Sequence, residues 1–457
     1  MLNRIAEERG SALITAIVIS LVLTMTIMVV LLFSARQTRF IHQKADYLQA
    51  RYNAESGIAK SLRQLERLWD EGIWRQQLNE AIPIAFGDSA NIVQYPWGGY
   101  IAVKSHAVKK HQAFTLNALV GLKPPPIFRH ALMISPTAYP LIVTGDTRLY
   151  GDVLVGRAGV KKEALRGQPY SGDNLVYGSI TRLQTDPRPQ IDKVYLDYLY
   201  AAYTAGLSSL SSINFEQMVT DTSTFIDFSK HASGQVIAIS SEQLTRKRWR
   251  LKGPAVLIAD QPLTIESGVT LSNHITVLCK KGITLGGAAR LKDVIIFSPD
   301  SIRLSDPAFF QGQLFAGRKI VITESTQLTY PSLAVTYNAD PEATIHIHSG
   351  AELSGTAVLA VREETNSPGA GKGKIILERS AILNGLLYSE SLTTLAGQVN
   401  GIVITDRFHF YLSPTDYYNW IKDGKVYRER LPQPFVLPVF FQLPEKHFLT
   451  VSMDTAP

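Results

Sequence analysis

Five short segments share one pattern, in which two residues and then a glycine open an apolar run of strand length. They read LYGDVLVG (149–156), FQGQLFAG (310–317), LSGTAVLA (353–360), LNGLLYSE (383–390) and VNGIVITD (399–406). Between them apolar residues recur about every 20 positions, as in Leu263, Ile283, Ile302 and Ile322, and again in Leu271, Leu291 and Phe310. A fixed period of that size means a stacked repeat, because one such unit cannot bury its own apolar face.

Strands of three to five residues, separated by turn residues such as Gly268, Gly282, Gly286 and Asn384, describe the coil of a parallel β-helix. Coils stacked about 4.8 Å apart would align inward Val, Ile and Leu side chains in ladders. An antiparallel sandwich would instead show Asn-Gly hairpins between cleanly alternating strands, whereas Asn384-Gly385 and Asn400-Gly401 sit inside the repeat frame. The expected fold is therefore mainly β, a right-handed parallel β-helix (solenoid) with a helical insertion, preceded by a long N-terminal α-helix.

That helix begins in a second constraining stretch. Residues 11–33 carry no charge, and their polar interruptions are only Ser11, Thr15, Ser20, Thr24 and Thr26. As a helix the stretch would be about 35 Å long, enough to span a bilayer. A cleavable secretory signal would have a shorter apolar core and a small-residue site after it, so the run reads as a retained anchor. Arg4 and Arg9 precede it and Arg36, Arg39 and Lys44 follow it, so charge alone leaves its orientation open. Ala45, Leu48, Tyr52, Ala59, Leu62, Leu65 and Trp69 continue at helical spacing, with no proline before Pro83, predicting one helix of about 60 residues.

The leader ending in Arg9-Gly10, the immediate apolar helix and ARYNAESGIAKSL, with Glu55 and Gly57, resemble the N-terminal region of type IV minor pilins and type II secretion minor pseudopilins, over residues 4–65. The resemblance implies cleavage between Gly10 and Ser11 by a prepilin peptidase and a cytoplasmic N-terminus. It also implies a single pass through the bacterial inner membrane, with the bulk periplasmic or in an extracellular filament, and contacts with other pilin-like subunits. Thr15, Glu55 and Gly57 are the expected assembly positions. Major pilins carry a glutamate at the fifth residue after the cut, where this chain has Thr15. An intramembrane carboxylate costs on the order of 2–3 kcal/mol unless neutralised, and Thr15 cannot pair with a neighbour's terminal amine as that glutamate is thought to do. The departure favours a minor, initiating or tip subunit. A plain single-pass anchor with a coiled stalk, unrelated to pili, is the alternative.

The organisation expected from these signals is a leader at 1–10, a transmembrane helix at 11–35, an extended periplasmic helix at 36–75, and a small β region with a Pro-rich hinge at 76–126. First β-helix coils follow at 127–156, an insertion with a helix at 157–234, further coils at 235–412 and a C-terminal cap at 413–457. GGYIAVKSHAV and HQAFTLNALVG read as an antiparallel pair beside the long helix. The insertion is a lateral elaboration whose helix is signalled by Ile191, Val194, Tyr198 and Ala201. RLPQPFVLPVFFQLPE is expected to lie across the last coil, since an open coil end is a sheet edge.

No constellation commits the chain to chemistry, so the expectation is a protein that is not an enzyme and needs no cofactor. Asp293, Asp300 and Asp306 read as turn residues, without the paired carboxylates a sugar-cleaving site needs. His346 and His348 share a strand face near Glu342 and Glu352, but without a defined third ligand they read as a surface ladder, with no metal. SPGAGKGK (367–374) lacks the spacing of a phosphate loop, and the lone Cys279 lies in an apolar run that buries it. Two basic stretches remain. Arg246, Arg248 and Arg250 would share a strand face with Trp249 opposite, and Lys104, Lys109 and Lys110 form a second group. With a formal charge of +7 they make extracellular glycan or DNA the candidate ligands, against a plain solvated face. The reading is a minor pilin-like component anchored in inner-membrane lipid, whose β-helix serves assembly, display or adhesion. The rivals are a membrane-anchored β-helix enzyme acting on polysaccharide and an envelope scaffold unrelated to pili.

Overall fold

The computed structural model describes residues 2–70, 73–84, 87–208, 212–218, 224–230, 236–266, 268–305, 309–338, 340, 342–362 and 373–455, without the side chains of residues 2–12, 70 and 73. Asp306 and residues 367–372 of the SPGAGKGK segment lie outside the described residues. The chain divides into two compact units, residues 1–95, 102–118 and 453–457 in one and 96–101 and 119–452 in the other.

The first unit is built on α1, the 69-residue helix Leu2–Asp70. It is uninterrupted because no proline occurs in it and Gly10 and Gly57 are its only glycines. Its two halves differ in what they bury. Large apolar side chains from Leu13 to Phe33 are all exposed, at 52% or more. From Ala50 onward a stripe at spacings of three and four, Ala50, Asn53, Ala54, Gly57, Ile58, Ser61, Leu65 and Trp69, is buried. That stripe faces a sheet in which Leu78–Pro83, Ser89–Trp97, Tyr100–Lys109, Gln112–Leu122 and the C-terminal Phe448–Thr455 follow in that order. The first pair is antiparallel, and the third and fourth strands are joined by the two-residue turn at Lys110 and His111.

The second unit is a β-helix-like stack of coils paired in parallel. One rung of aligned residues runs Leu257, Val277, Ile296, Leu314, Ala334, Ala357, Leu387 and Val403, each opposite the next. All eight are fully buried. A second ladder joins Leu263–Ile265, Ile283–Leu285, Ser301–Leu304, Lys319–Ile322, Thr344–Ile347 and Lys374–Leu377. A single strand can line two faces by bending. Thr270–Cys279 pairs with both Arg250–Lys252 and Ala255–Ala259, turning at Asn273 and His274, each at φ +60°. The register corrects one detail of the 20-residue period: Ile302 pairs with Ile320, not Ile322, because that coil is shorter.

The order of coils in space is not their order in sequence. The rung continues from Val403 to Leu132, then Val153, then Ile180. The coils nearest the N-terminus thus stack on the coil that ends the run, and not before residue 235. Parts of residues 157–234, expected as a lateral insertion, are coil strands: Val160–Lys162 pairs with Leu141–Thr144, Ile180–Leu183 with Val153–Gly156, and Phe225–Asp227 with Arg250–Lys252. The helix within it, α2 (Lys193–Leu207), carries the chain back along the flank. Tyr388 donates to the Pro189 carbonyl just before α2, Tyr200 donates to the carbonyls of Ala316 and Val335, and Gly206 lies against Leu278. Fifteen residues of helix rise about 22 Å, the height of four to five coils.

The supposed C-terminal cap also divides differently. Trp420–Lys422 and Lys425–Tyr427 are coil strands, paired with Leu141–Thr144 and Arg148–Tyr150. The Pro-rich segment runs along the flank, because glycines stacked coil over coil leave a groove there. Leu431 lies against Gly401, Phe435 against Gly385, and the Val436 backbone N–H donates to the Tyr330 hydroxyl at 3.2 Å. Gly385 is at φ +146°, and a Cβ there would stand 1.8 Å from the Gly355 carbonyl oxygen. Gly385→Val should therefore lower stability by at least about 2 kcal/mol and lower the melting temperature. A melting curve superimposable on that of the wild type would refute the ladder.

Candidate functional site

The uncharged half of α1 hides what polarity it has. Thr24 Oγ1 donates to the Ser20 carbonyl at 2.7 Å and Thr26 Oγ1 to the Val22 carbonyl at 2.8 Å, so both hydroxyls are satisfied within the helix. Thr15 is exposed on the same stretch, and Gly10 and Ser11 lie within the helix, the Ser11 side chain outside the described residues. The other two expected assembly positions have local duties. Glu55 accepts from Arg51 Nε at 2.8 Å, one helical turn earlier. At Gly57 helix and sheet approach closely: a Cβ would meet Ser105 Oγ at 2.5 Å, Ile92 at 2.8 Å and Ala90 at 2.9 Å. Asn53 donates to Asp88 at 2.9 Å and Ser61 to Gln94 at 3.0 Å, fixing the helix rotation.

The basic residues do not form one surface row. Lys104 is exposed on its strand. Lys109 binds Asp88 at 2.7 Å, and Lys110 binds Asp46 at 3.1 Å. The Lys109 ammonium, with the Asn53 amide, holds the Asp88 carboxyl below its usual range. Arg246 and Arg248 precede the strand Arg250–Lys252 and are not on it. Arg246 binds Glu242 at 2.7 Å and Glu216 at 3.5 Å. Arg248 is exposed, and Arg250 lies over the Phe225 ring at 6.0 Å. Trp249 is no stacking platform: it is buried, its edge packs on Phe215, and its indole N–H donates to the Gln243 carbonyl at 2.9 Å. An indole is a large apolar group, and the coil interior removes it from water.

A groove of about 900 Å³ opens on the second unit, with Asp146, Gln168, Arg379, Gln398, Asp423 and Lys425 on its walls. No local pattern announces it, because its walls come from coils that stack out of chain order. Its charges are paired: Asp146 with Lys425 at 2.8 Å and Arg148 at 2.9 Å, and Asp423 with Arg379 at 2.9 Å. The hydrogen bond from Lys425 holds the Asp146 carboxyl below its usual range and the Lys425 ammonium above its own.

The histidine pair acquires the partner that sequence spacing did not supply. Glu352 accepts from Asn384, and Glu342 binds Arg318. Glu378, from the following coil, reaches His346 Nε2 at 2.7 Å and His348 Nδ1 at 3.4 Å with one oxygen. The register His346↔Ile376 and Ile347↔Leu377 brings it there. Of the turn aspartates, Asp293 bonds to His274 at 2.7 Å and Trp97 at 3.1 Å, and Asp300 faces Arg318 at 3.7 Å. Cys279 donates to the Gln261 and Gly282 carbonyls, and burial pushes its thiol above the ordinary value.

No protein-family model matches the chain, and no curated protein matches it. Among solved structures, the crystal structure of competence-associated pilin ComZ from Thermus thermophilus is similar at 12% identity, over 90% of this chain and 97% of that one, with a TM-score of 0.21. A score that low leaves the case for function to this chain's own residues.

Gly57→Val should force the helix off its sheet and cost about 1–3 kcal/mol, read as a lower melting midpoint; an unchanged midpoint would show that the contact does not matter. The Asp146 pair should weaken in acid. Its folded carboxyl titrates below the unfolded one, so its contribution is complete above the ordinary carboxylate value near pH 4 and is lost as pH falls through the depressed one. Asp146→Asn should remove part of the acid dependence of melting below about pH 4; identical pH profiles for variant and wild type would contradict the pairing.

Proposed function

We propose that this chain is a minor pilin-like subunit, anchored through α1 in the bacterial inner membrane with its N-terminus cytoplasmic, and that its second unit is a right-handed parallel β-helix displayed for assembly or adhesion. The observation that carries this is the division of α1 into two halves. Its uncharged half leaves every large apolar side chain from Leu13 to Phe33 exposed, a surface suited to lipid and to other apolar helices. Its C-terminal half is held against a sheet by the Ala50 to Trp69 stripe. One rigid helix therefore joins an anchor to a folded head. Other pilin-like subunits are the natural neighbours of the exposed half, and a prepilin peptidase is the enzyme that would cut between Gly10 and Ser11.

In this reading the second unit binds and does not catalyse. Its groove pairs each carboxylate with a cation and adds the Gln168 and Gln398 amides, a balance that suits a neutral, hydroxyl-rich glycan. Asp146 and Asp423 would oppose the phosphates of DNA, and the Arg246 to Arg250 stretch lacks a stacking ring. The glycan is therefore preferred over DNA as the displayed ligand.

Intact mass and N-terminal sequencing of the protein from native membranes test the assignment. The expected product starts at Ser11, and Gly10→Val should leave residues 1–10 attached. A native protein that retains Met1, or a Gly10→Val variant processed like wild type, would remove the pilin branch.

A further inference from the structure

We infer that His346, His348 and Glu378 form a binding site for a zinc-class divalent cation on the outer face of the coil stack. Alternation along the strand Thr344–Ile347 sends Ile345 and Ile347 into the core and leaves His346 half-buried on the opposite face; His348 follows two residues on, with the two rings stacked at 3.9 Å between centroids. The next coil then places Glu378 beside both. One nitrogen from each ring and one carboxylate oxygen lie within 4.8 Å of one another. Ligands around a tetrahedral zinc stand about 3.4 Å apart, so the three donors need only small rotations to converge.

One further feature suits a cation. Glu378 Oε2 accepts from both the backbone N–H and the hydroxyl of Ser349, at 3.0 and 3.2 Å, which fixes the carboxylate plane and leaves Oε1 turned to the histidines. Two imidazoles and one carboxylate select zinc-like metals over calcium or magnesium, which take mainly oxygen ligands. The donors come from two successive coils, so a bound ion would clamp strand Thr344–Ile347 to strand Lys374–Leu377 and keep its fourth position for water.

The test uses the full chain in detergent, stripped with a chelator and dialysed against zinc chloride, with bound metal counted by mass spectrometry and melting followed by circular dichroism. The expected result is one zinc per chain and a raised melting midpoint, with calcium and magnesium giving neither. His346→Gln and Glu378→Gln should each weaken zinc binding more than about 10-fold while their metal-free spectra match the wild type. Cobalt(II) on the wild-type chain should give the visible absorption of a four-coordinate site, a readout that needs no variant. Absence of bound zinc, binding unchanged in both variants, or a cobalt spectrum of the six-coordinate aqueous ion would each overturn the proposal.

Discussion

Parallel backbone hydrogen bonding from coil to coil is the interaction on which the second unit depends. Its strands are mostly three to five residues long, too short to be stable alone, and each coil has an apolar inside that only its neighbours can cover. Stacking aligns identical positions at about 4.8 Å, and the alignment acts on both faces of the wall. Inside it produces the unbroken rung from Leu257 to Val403. Outside it stacks Asn400 on Asn384 at 2.7 Å, sets the rings of Tyr427, Tyr150 and Tyr177 face to face, and delivers Glu378 to the two histidines. Packing and chemistry on this body thus have one geometric origin.

The out-of-order stacking has consequences for the same body. Coils at residues 132–183 extend one end of the stack, so the chain must travel its length before the remaining coils can build back toward them. The strut α2 covers about four to five coils of that distance, and its aromatic face is seated over Phe297, Phe315 and Tyr337 through Tyr200 and Tyr203. The chain's entry and exit are tied together: Leu122 and Leu437 exchange backbone bonds at 2.8 Å each, and Lys123 donates to the His447 carbonyl at 2.7 Å. The terminal strand Ile180–Leu183 is short and carries Arg182, features that discourage pairing by another chain.

The sequence revealed those parts of this architecture that repeat locally. The 20-residue spacing of Leu263, Ile283 and Ile302, and of Leu271, Leu291 and Phe310, reappears as aligned rungs. The long helix was legible from residues 11–33 and the proline-free spacing after them. What was not legible depends on contacts far apart in the chain. Nothing in residues 127–156 says that they stack on 398–427, because any coil's apolar positions can accept any other's. Trp249 alternates with arginines and so looks like one face of a strand, yet only Arg250 begins the strand. Glu378 stands 32 residues from His346, across a coil whose length no local signal fixes. Gly57 was marked by a family resemblance, while its physical reason, the approach of Ser105, Ile92 and Ala90, belongs to tertiary packing.

In the proposed reading, the same distinction explains how the anchor would function with Thr15 in place of an acid. A carboxylate in the apolar run would have to find a cation in the bilayer before the helix was stable there. This chain places no charge between residues 11 and 33, and its threonine hydroxyls at 24 and 26 bond back to their own helix. The helix therefore meets the requirements of lipid alone, with no neighbour needed to neutralise it. Its first acidic residue after the run is Asp46, which is bound to Lys110, and its second is Glu55, bound to Arg51. Under the proposed function, a subunit with no charge in its apolar run would need no neighbour's charge in the bilayer and could join a filament through apolar contact, as a component that starts or tips an assembly would have to.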